Sequence, residues 1–349
     1  MRSIYFVSFA LAFLISFIAT FLVSRIAVRR KILDVPDTER RFHEGPVPQL
    51  GGIAIFSSFF LVTLAIGIFG GYLLNGHIPL EALMGIWIGG AILMIGGYLD
   101  DRYRLPAKLS IIFPIMACLA IITSGIQAVS VHHPLTNAII ELSPLLSGVI
   151  VFLWTMTMTY TTKLLDGMDG LVTGISAIAA LSIFALSLSP QVMQPQTAIL
   201  AITFAGSLLG FLILNFHPAK IFLGEGGSTF AGFMLAVLAI ISGGKMATTL
   251  LVMGIPLLDM AWVIVQRLAN KQSPFSGDRK HLHFRLTEIG FSVPQAVLFL
   301  YALAGIFGGV GLFLQSRGKF IALIILFLVM LSIIASLYSV LRAKGRTHE

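Results

Sequence analysis

Apolar residues in this chain neither alternate nor recur as narrow stripes; they come in long runs. Runs of about 20 residues, the length that spans a hydrocarbon core, occur eleven times, at 4–24, 50–74, 82–99, 107–125, 144–162, 170–189, 196–214, 228–243, 246–266, 294–315 and 319–341. Helices apolar on every face belong in a membrane, whereas a soluble helix keeps a polar side. The pattern predicts an all-α polytopic membrane protein with about eleven transmembrane helices. Soft boundaries at the second, eighth and ninth runs leave ten open. The first run is too long for a cleaved signal, lacks an A-x-A-like exit and continues into Arg25, Arg29, Arg30 and Lys31, so it is expected to stay as a helix.

Composition leaves little room for anything else. Of 349 residues, 57% are hydrophobic and 11% charged, with a mean hydropathy of +0.96. There is no repeat and no tract fit for a soluble domain, so residues 1–349 read as a single integral membrane domain. The two halves show no matching broken helices of the kind that marks inverted-repeat transporters. Gly89-Gly90, Gly96-Gly97 and Gly308-Gly309 read as sites of close helix packing. Cys118 is the only cysteine, which excludes an intrachain disulfide and a cysteine metal cluster.

Charge then gives a direction. With the N-terminus outside, the polar segments on one side carry 19 of the 23 Lys and Arg residues, which marks that side as cytoplasmic and places the C-terminus there. The net charge of +8 reflects this asymmetry and attraction to anionic lipid, with no case for nucleic acid. All but two of the 15 acidic residues, Glu81 and Glu141, fall on the same side. The chemistry is therefore expected in a cleft facing the cytoplasm.

Four stretches carry candidate chemistry. In "GGYLDDRYRLPAK", Asp100 and Asp101 end the third run. Adjacent carboxylates repel unless a divalent cation or several cationic groups compensate them; a solvated helix end paired with Arg102 and Arg104 is the plainer reading. In "KLLDGMDGLVTG", Asp166 and Asp169 share a face if the segment is helical, although Asp169 would also serve as the N-cap of the next helix. In "NFHPAKIFLGEGGST", Glu225 precedes Gly226, Gly227 and Ser228, so backbone N–H groups at a helix start could meet an anion; a structural turn is the alternative. In "SPFSGDRKHLHFRL", the i, i+2 spacing of His281 and His283 suits an extended loop gripping phosphates better than a zinc pair, while lipid headgroups would satisfy the same run. Asp259, after Pro256 and deep in the ninth run, is a functional candidate by its depth, with a hydrated kink as the alternative.

Hard carboxylate ligands beside Lys, Arg and His suit a diphosphate with Mg²⁺, or Mn²⁺ in its place. A membrane cleft that handles phosphates implies a lipid-linked partner. At these residues the chain resembles the polyprenyl-phosphate N-acetylhexosamine-1-phosphate transferases. "RRFHEGPVPQLGGIAIF", "GYLDD", "LLDGMDGL", "PAKIFLGEGGS", "GIPLLD" and the last loop carry the likeness, over about residues 34–293. The last loop is more similar to the GlcNAc-1-phosphate branch than to the phospho-MurNAc-pentapeptide branch.

The resemblance implies a cytoplasmic-facing enzyme of the bacterial plasma membrane that moves GlcNAc-1-phosphate from a UDP-N-acetylhexosamine to undecaprenyl or another polyprenyl phosphate, releasing UMP and starting a cell-envelope glycan. It implies that Asp100, Asp101 and Glu225 form the Mg²⁺-dependent centre, with Glu225 at the metal position. Asp166 and Asp169 would face the uridine and sugar, Phe222 would stack near uracil, and Asn215 would line the cleft. Lys108 would lie near the phosphates, and Arg279, His281 and His283 would engage the diphosphate or sugar. Lys163 stands where the family usually has Asn, and is expected either to meet the diphosphate or to balance charge. Glu225 stands where Asp is usual, Phe284 where a further His is usual, and Tyr160 where a polar residue is common. A phospho-MurNAc-pentapeptide transferase, an inactive binding paralogue and a lipid or nucleotide-sugar transporter are the competing readings; homodimer and monomer both stay open.

Overall fold

A computed structural model of the protein describes residues 2–35, 45–73, 76–132, 139–242, 246–271 and 281–343. Thirteen α-helices account for most of them: α1 (Arg2–Arg30), α2 (Gly51–Ala65, prolonged by a π turn to Gly70), α3 (Leu80–Tyr103), α4 (Ala107–Ser110), α5 (Ile112–Thr123), α6 (Pro144–Leu165), α7 (Leu171–Ser187), α8 (Pro195–Asn215), α9 (Gly224–Ile241), α10 (Met246–Ala269), α11 (Leu282–Ile289), α12 (Val293–Phe313) and α13 (Ser316–Ala343). Among the described residues, nine helices are long and apolar enough to cross a membrane, and Ala107–Thr123 and Leu171–Ser187 are shorter apolar stretches. Each of the eleven predicted runs falls on one of these. The protein is an all-α, multi-pass membrane protein.

Local chemistry explains several boundaries. Pro144 and Pro195 open α6 and α8, where a missing N–H costs nothing. Ser143 caps α6, and Ser292 with Gln295 forms a capping box at α12. The long polar segment after residue 30 is held by a two-residue ribbon pairing Leu33 with Pro48 and Asp34 with Val47. A second ribbon pairs Ser130–His132 with Ile139–Glu141 at the other end of the bundle.

Helix α9 is the axis of the fold. From Gly226 to Ile240 every residue is buried, and α2, α3, α6 and α7 pack around it. By contrast α1 and α13 expose Phe6, Ile18, Ile321 and Leu328, as hydrocarbon-facing helices do. The approach of α2 and α3 to α9 depends on glycine. A Cβ on Gly97 would lie 2.1 Å from the Gly226 nitrogen, and one on Gly52 would lie 2.3 Å from Gly227. Gly226 and Gly227 therefore serve backbone packing in the first turn of α9, which begins at Gly224, four residues earlier than the apolar run suggests.

Candidate active site

The α3–α9 crossing brings the acidic residues together. Asp101 reaches from the end of α3 to the start of α9, where its Oδ1 accepts a hydrogen bond from the Glu225 backbone N–H at 3.1 Å. The anion expected at this helix start is thus supplied by the chain itself. Gly224, in the left-handed region at φ 74°, leaves room for the carboxylate: a Cβ there would come within 2.5 Å of Asp101 Oδ2. Asp100 Oδ1 and Asp101 Oδ2 are buried with no hydrogen-bond partner among the described residues.

Lys163, in the last turn of α6, supplies the cation. Its Nζ lies 2.6 Å from Glu225 Oε1, with the Ser110 hydroxyl 3.5 Å from both. Its ammonium also sits 5.5 Å from the centre of the Tyr160 ring, a cation–π distance. Both Lys163 and Glu225 keep some exposure, 26% and 15%. In this structure Lys163 balances the charge of Glu225. Ser110, whose signal in the sequence is only its place two residues after Lys108, was not foreseen.

Asp166 ends α6 at the rim of the same cluster. Its side chain meets solvent, yet enclosure by the surrounding protein, followed by the charges of Glu225, Asp101 and Asp169, raises its carboxyl to about 8. Asp169 behaves differently. Its Oδ2 lies 2.8 Å from His217 Nδ1 and accepts the Ala219 N–H at 3.0 Å. The residue that caps α7 is Gly170, without a side-chain bond, so the expected N-cap role of Asp169 is not what the structure places there. Asp169 instead anchors the 216–223 loop.

Asn215 braces that loop too: its Oδ1 accepts from the Thr173 hydroxyl at 2.7 Å and its Nδ2 donates to the Ile221 carbonyl at 3.0 Å. Both ends of the amide are used within the fold. Phe222 is half-buried, its backbone joined to Pro48 and Gly51. Lys108 is exposed on α4, and Arg279 lies outside the described residues.

The last polar segment differs from the expected extended loop. His281 is the N-cap residue of α11 and His283 lies inside that helix. Asp259 of α10 holds this junction, with Oδ2 2.8 Å from His281 Nδ1 and Oδ1 accepting the Leu282 N–H at 2.8 Å. The depth of Asp259 therefore reflects a buried anchor. His283 stacks parallel to His281, with ring centres 5.7 Å apart, and tilts against Phe284 at 4.2 Å. Burial, and then the neighbouring His281, lowers its pKa to about 3, so the ring is neutral near pH 7 and offers no charge to a phosphate. It sits over Gly167, where a Cβ would come 2.5 Å from His283 Nε2, directly beneath the turn that carries Asp166.

A metal is an expectation here, so its fit matters. Among the described residues no group of three or more His, Cys, Asp or Glu stands ready to hold an ion. The orphaned oxygens of Asp100 and Asp101 beside Glu225 nevertheless match a magnesium site, because Mg²⁺ is commonly held by one or two carboxylates, with water and substrate phosphates completing its shell.

Together these features define a class: a multi-pass membrane protein with a half-buried carboxylate centre, internally compensated by one lysine, at one end of its helical bundle. The family model described as Glycosyl transferase family 4 matches residues 83–243. A probable undecaprenyl-phosphate N-acetylglucosaminyl 1-phosphate transferase of Bacillus subtilis (strain 168) is 31% identical over 97% of this chain and 93% of its own length. The decaprenyl-phosphate N-acetylglucosaminephosphotransferase of Mycobacterium leprae (strain TN) is 30% identical over 77% of this chain and 73% of its own. The undecaprenyl-phosphate alpha-N-acetylglucosaminyl 1-phosphate transferase of Yersinia pestis is 27% identical over 88% and 82%. The chain belongs to the polyprenyl-phosphate N-acetylhexosamine-1-phosphate transferases of glycosyl transferase family 4, and is an enzyme of that kind.

Proposed function

We propose that this protein transfers N-acetylhexosamine-1-phosphate, with GlcNAc-1-phosphate as the group its relatives' names point to, from its UDP nucleotide to undecaprenyl or a related polyprenyl phosphate, releasing UMP and starting a cell-envelope glycan. The names of its relatives, which join a polyprenyl phosphate to N-acetylglucosamine 1-phosphate, support the acceptor and the transferred group; the UDP donor rests on the motifs of the chain. The positive-inside distribution supports eleven crossings in the bacterial plasma membrane, with the N-terminus outside and the carboxylate end facing the cytoplasm. The observation that carries the reading is the meeting of Asp100, Asp101 and Glu225 around Lys163, with Asp166 beside Glu225 and Asp101.

In the reaction, an oxygen of the acceptor phosphate attacks the sugar-linked phosphorus of the donor. A new P–O bond forms as the bond to the bridging oxygen breaks, and its electron pair leaves with UMP. Asp100, Asp101 and Glu225 would hold Mg²⁺, which when bound supplies charge stabilisation at the phosphoryl oxygens. Asp100 orients the acceptor, which is ionised near neutrality and needs little help from a base. Lys163 turns from Glu225 toward the diphosphate, and Lys108 meets it from α4. Asp166 and Phe222 face the uridine and sugar, while Asp169, Asn215 and Asp259 fix the segments that carry the contacts.

The Lys163–Glu225 pair favours a second reading, because an ammonium on a metal-binding carboxylate competes with the metal: a protein that binds the UDP-sugar without turnover. Purified protein, polyprenyl phosphate, Mg²⁺ and a panel of UDP-sugars, with UMP as the readout, separate the two. The transferase reading expects UMP with at least one sugar and its loss on adding EDTA. Donor binding with no UMP from any sugar would overturn it in favour of the binding protein.

A further inference from the structure

The end of the bundle away from the carboxylates holds a cavity of about 1190 Å³. It lies where α3, α10 and α13 start and where α7, α9 and α12 finish, a full helix length from Asp100 and Asp101 at the other end of α3. Pockets for small molecules measure roughly 300–1,000 Å³, so this volume calls for a larger occupant. Its walls are mostly apolar, with Ile150, Leu186, Leu250 and Leu323 among them, and Gln127, Ser189, Gln191, Gln315 and Lys319 add polar groups from several elements.

The walls are built rather than left over from loose packing. Gln196, itself buried, accepts the His77 N–H at 2.6 Å and donates to the Leu73 carbonyl at 3.2 Å, tying both residues beside the cavity. Ser147 accepts the Ala128 N–H at 3.0 Å and fixes the facing strand. The charge in the lining is one-sided. Lys319, in the first turn of α13, lines the cavity, and no carboxylate does so among the described residues. The α13 N-terminal turn adds its positive dipole end to that of the ammonium. Two aromatic rings stand exposed at the rim: Phe313 at the end of α12 is 88% exposed, and Phe320 lies on the first turns of α13.

We infer that this cavity binds a lipid with a phosphate head group, the phosphate against Lys319 and the chains along the apolar wall, reached sideways past Phe313 and Phe320. The volume and the apolar wall suit a lipid, the lone cation in the described lining disfavours a cationic one, and the exposed aromatic rim offers the entrance. The site is separate from the transferase centre and does not rest on the reaction proposed above.

The test uses the full-length protein in detergent micelles and reads bound lipid by native mass spectrometry. Phosphatidylglycerol and polyprenyl phosphate are the two phosphate-headed probes, diacylglycerol is the head-group-free control, and inorganic phosphate is offered as competitor. Wild-type protein is expected to retain at least one phosphate-headed lipid in preference to diacylglycerol, and whichever probe is held more tightly identifies the source. Lys319→Gln is expected to weaken that retention about tenfold, the scale of one charge-assisted hydrogen bond. Ala247→Phe, which fills the cavity from α10 without touching the charge, is expected to weaken it at least as much while UMP release in a lipid-saturated assay stays unchanged. Equal retention of diacylglycerol, full displacement by inorganic phosphate, or unaltered retention in a folded Ala247→Phe protein would overturn the inference.

Discussion

At one end of the bundle five carboxylates and a lysine lie close together, most of them held by a named partner; at the other, among the described residues, one lysine and no acid line a largely apolar hollow. The first arrangement is rigid because its backbone is. Gly97 and Gly52 let α3 and α2 touch the start of α9, so that Asp101 can cap that helix, and the loop carrying His217 is pinned to Asp169. The second is roomy: among the described residues a volume of about 1190 Å³ stays open between the helix ends. Charge packed at fixed positions suits chemistry on phosphates; a lone cation above a greasy wall suits holding a lipid.

The largest expected effect comes from removing a charge at the rigid end without disturbing its geometry. Asp101→Asn keeps Oδ1 to accept the Glu225 N–H but replaces the orphaned Oδ2 with a donor. UMP release is expected to fall by about a hundredfold or more, as when a group that stabilises developing charge is lost, with the thermal transition little changed. Lys319→Gln should leave turnover near wild type under the same assay. If the two variants lost activity equally, the contrast between the ends would collapse.

Next comes the backbone that makes the rigid end rigid. Gly97→Ala would drive a Cβ into the Gly226 backbone at 2.1 Å, where no side chain can move aside. Overpacking of this kind costs about 1–3 kcal/mol, and separating α3 from α9 also breaks the Asp101 cap. Expected are a lower melting temperature in detergent and lost turnover together. Gly309→Ala, with nothing within 4 Å of its Cβ, is the control and should melt as wild type does.

Which parts of this were legible in the sequence follows from the range of each signal. The membrane helices are written as runs of apolar residues, a local property; among the described residues nine of the runs are helices long enough to cross a membrane, and the other two fall on shorter apolar stretches. The acidic residues that the fold brings together stand in short motifs that can be read off the chain, and Asp259 stands out by its depth. Partnership was not legible, because it depends on which helices cross. Nothing local says that Asp169 serves His217, that Asn215 spends both ends of its amide on the fold, or that Asp259 anchors α11 through His281. Gly226 and Gly227 looked like an anion-facing turn because a glycine run reads the same whether a ligand or another backbone comes close. His283 looked like a phosphate grip because its burial, and so its neutrality, comes from α10 and α12 packing over it.

Lys163 sharpens the comparison from the metal's side. If its ammonium and a divalent cation compete for Glu225, Lys163→Met should tighten Mn²⁺ binding by about tenfold, or 1.4 kcal/mol, read by the loss of free Mn²⁺ signal in paramagnetic resonance. Turnover is expected to fall in the same protein, since the diphosphate loses a cation. Unchanged Mn²⁺ affinity would show that the pair seen at 2.6 Å does not guard the metal position.

The smallest effect concerns Asp166 and appears only as a slope. Its carboxyl is raised to about 8 in the folded protein, against about 3.9 in an unfolded chain. A raised acid favours the fold in its protonated form, so this contribution is complete below about pH 4 and is lost as pH rises through about 8. Wild-type protein without metal should therefore lose thermal stability steadily from pH 5 to pH 9. Asp166→Asn, which cannot ionise, should flatten that slope and match or exceed wild type at pH 9. Because the side chain meets water, the difference is expected to be a few degrees at most, and a metal-free Asn variant with the same slope as wild type would place the titration on another group.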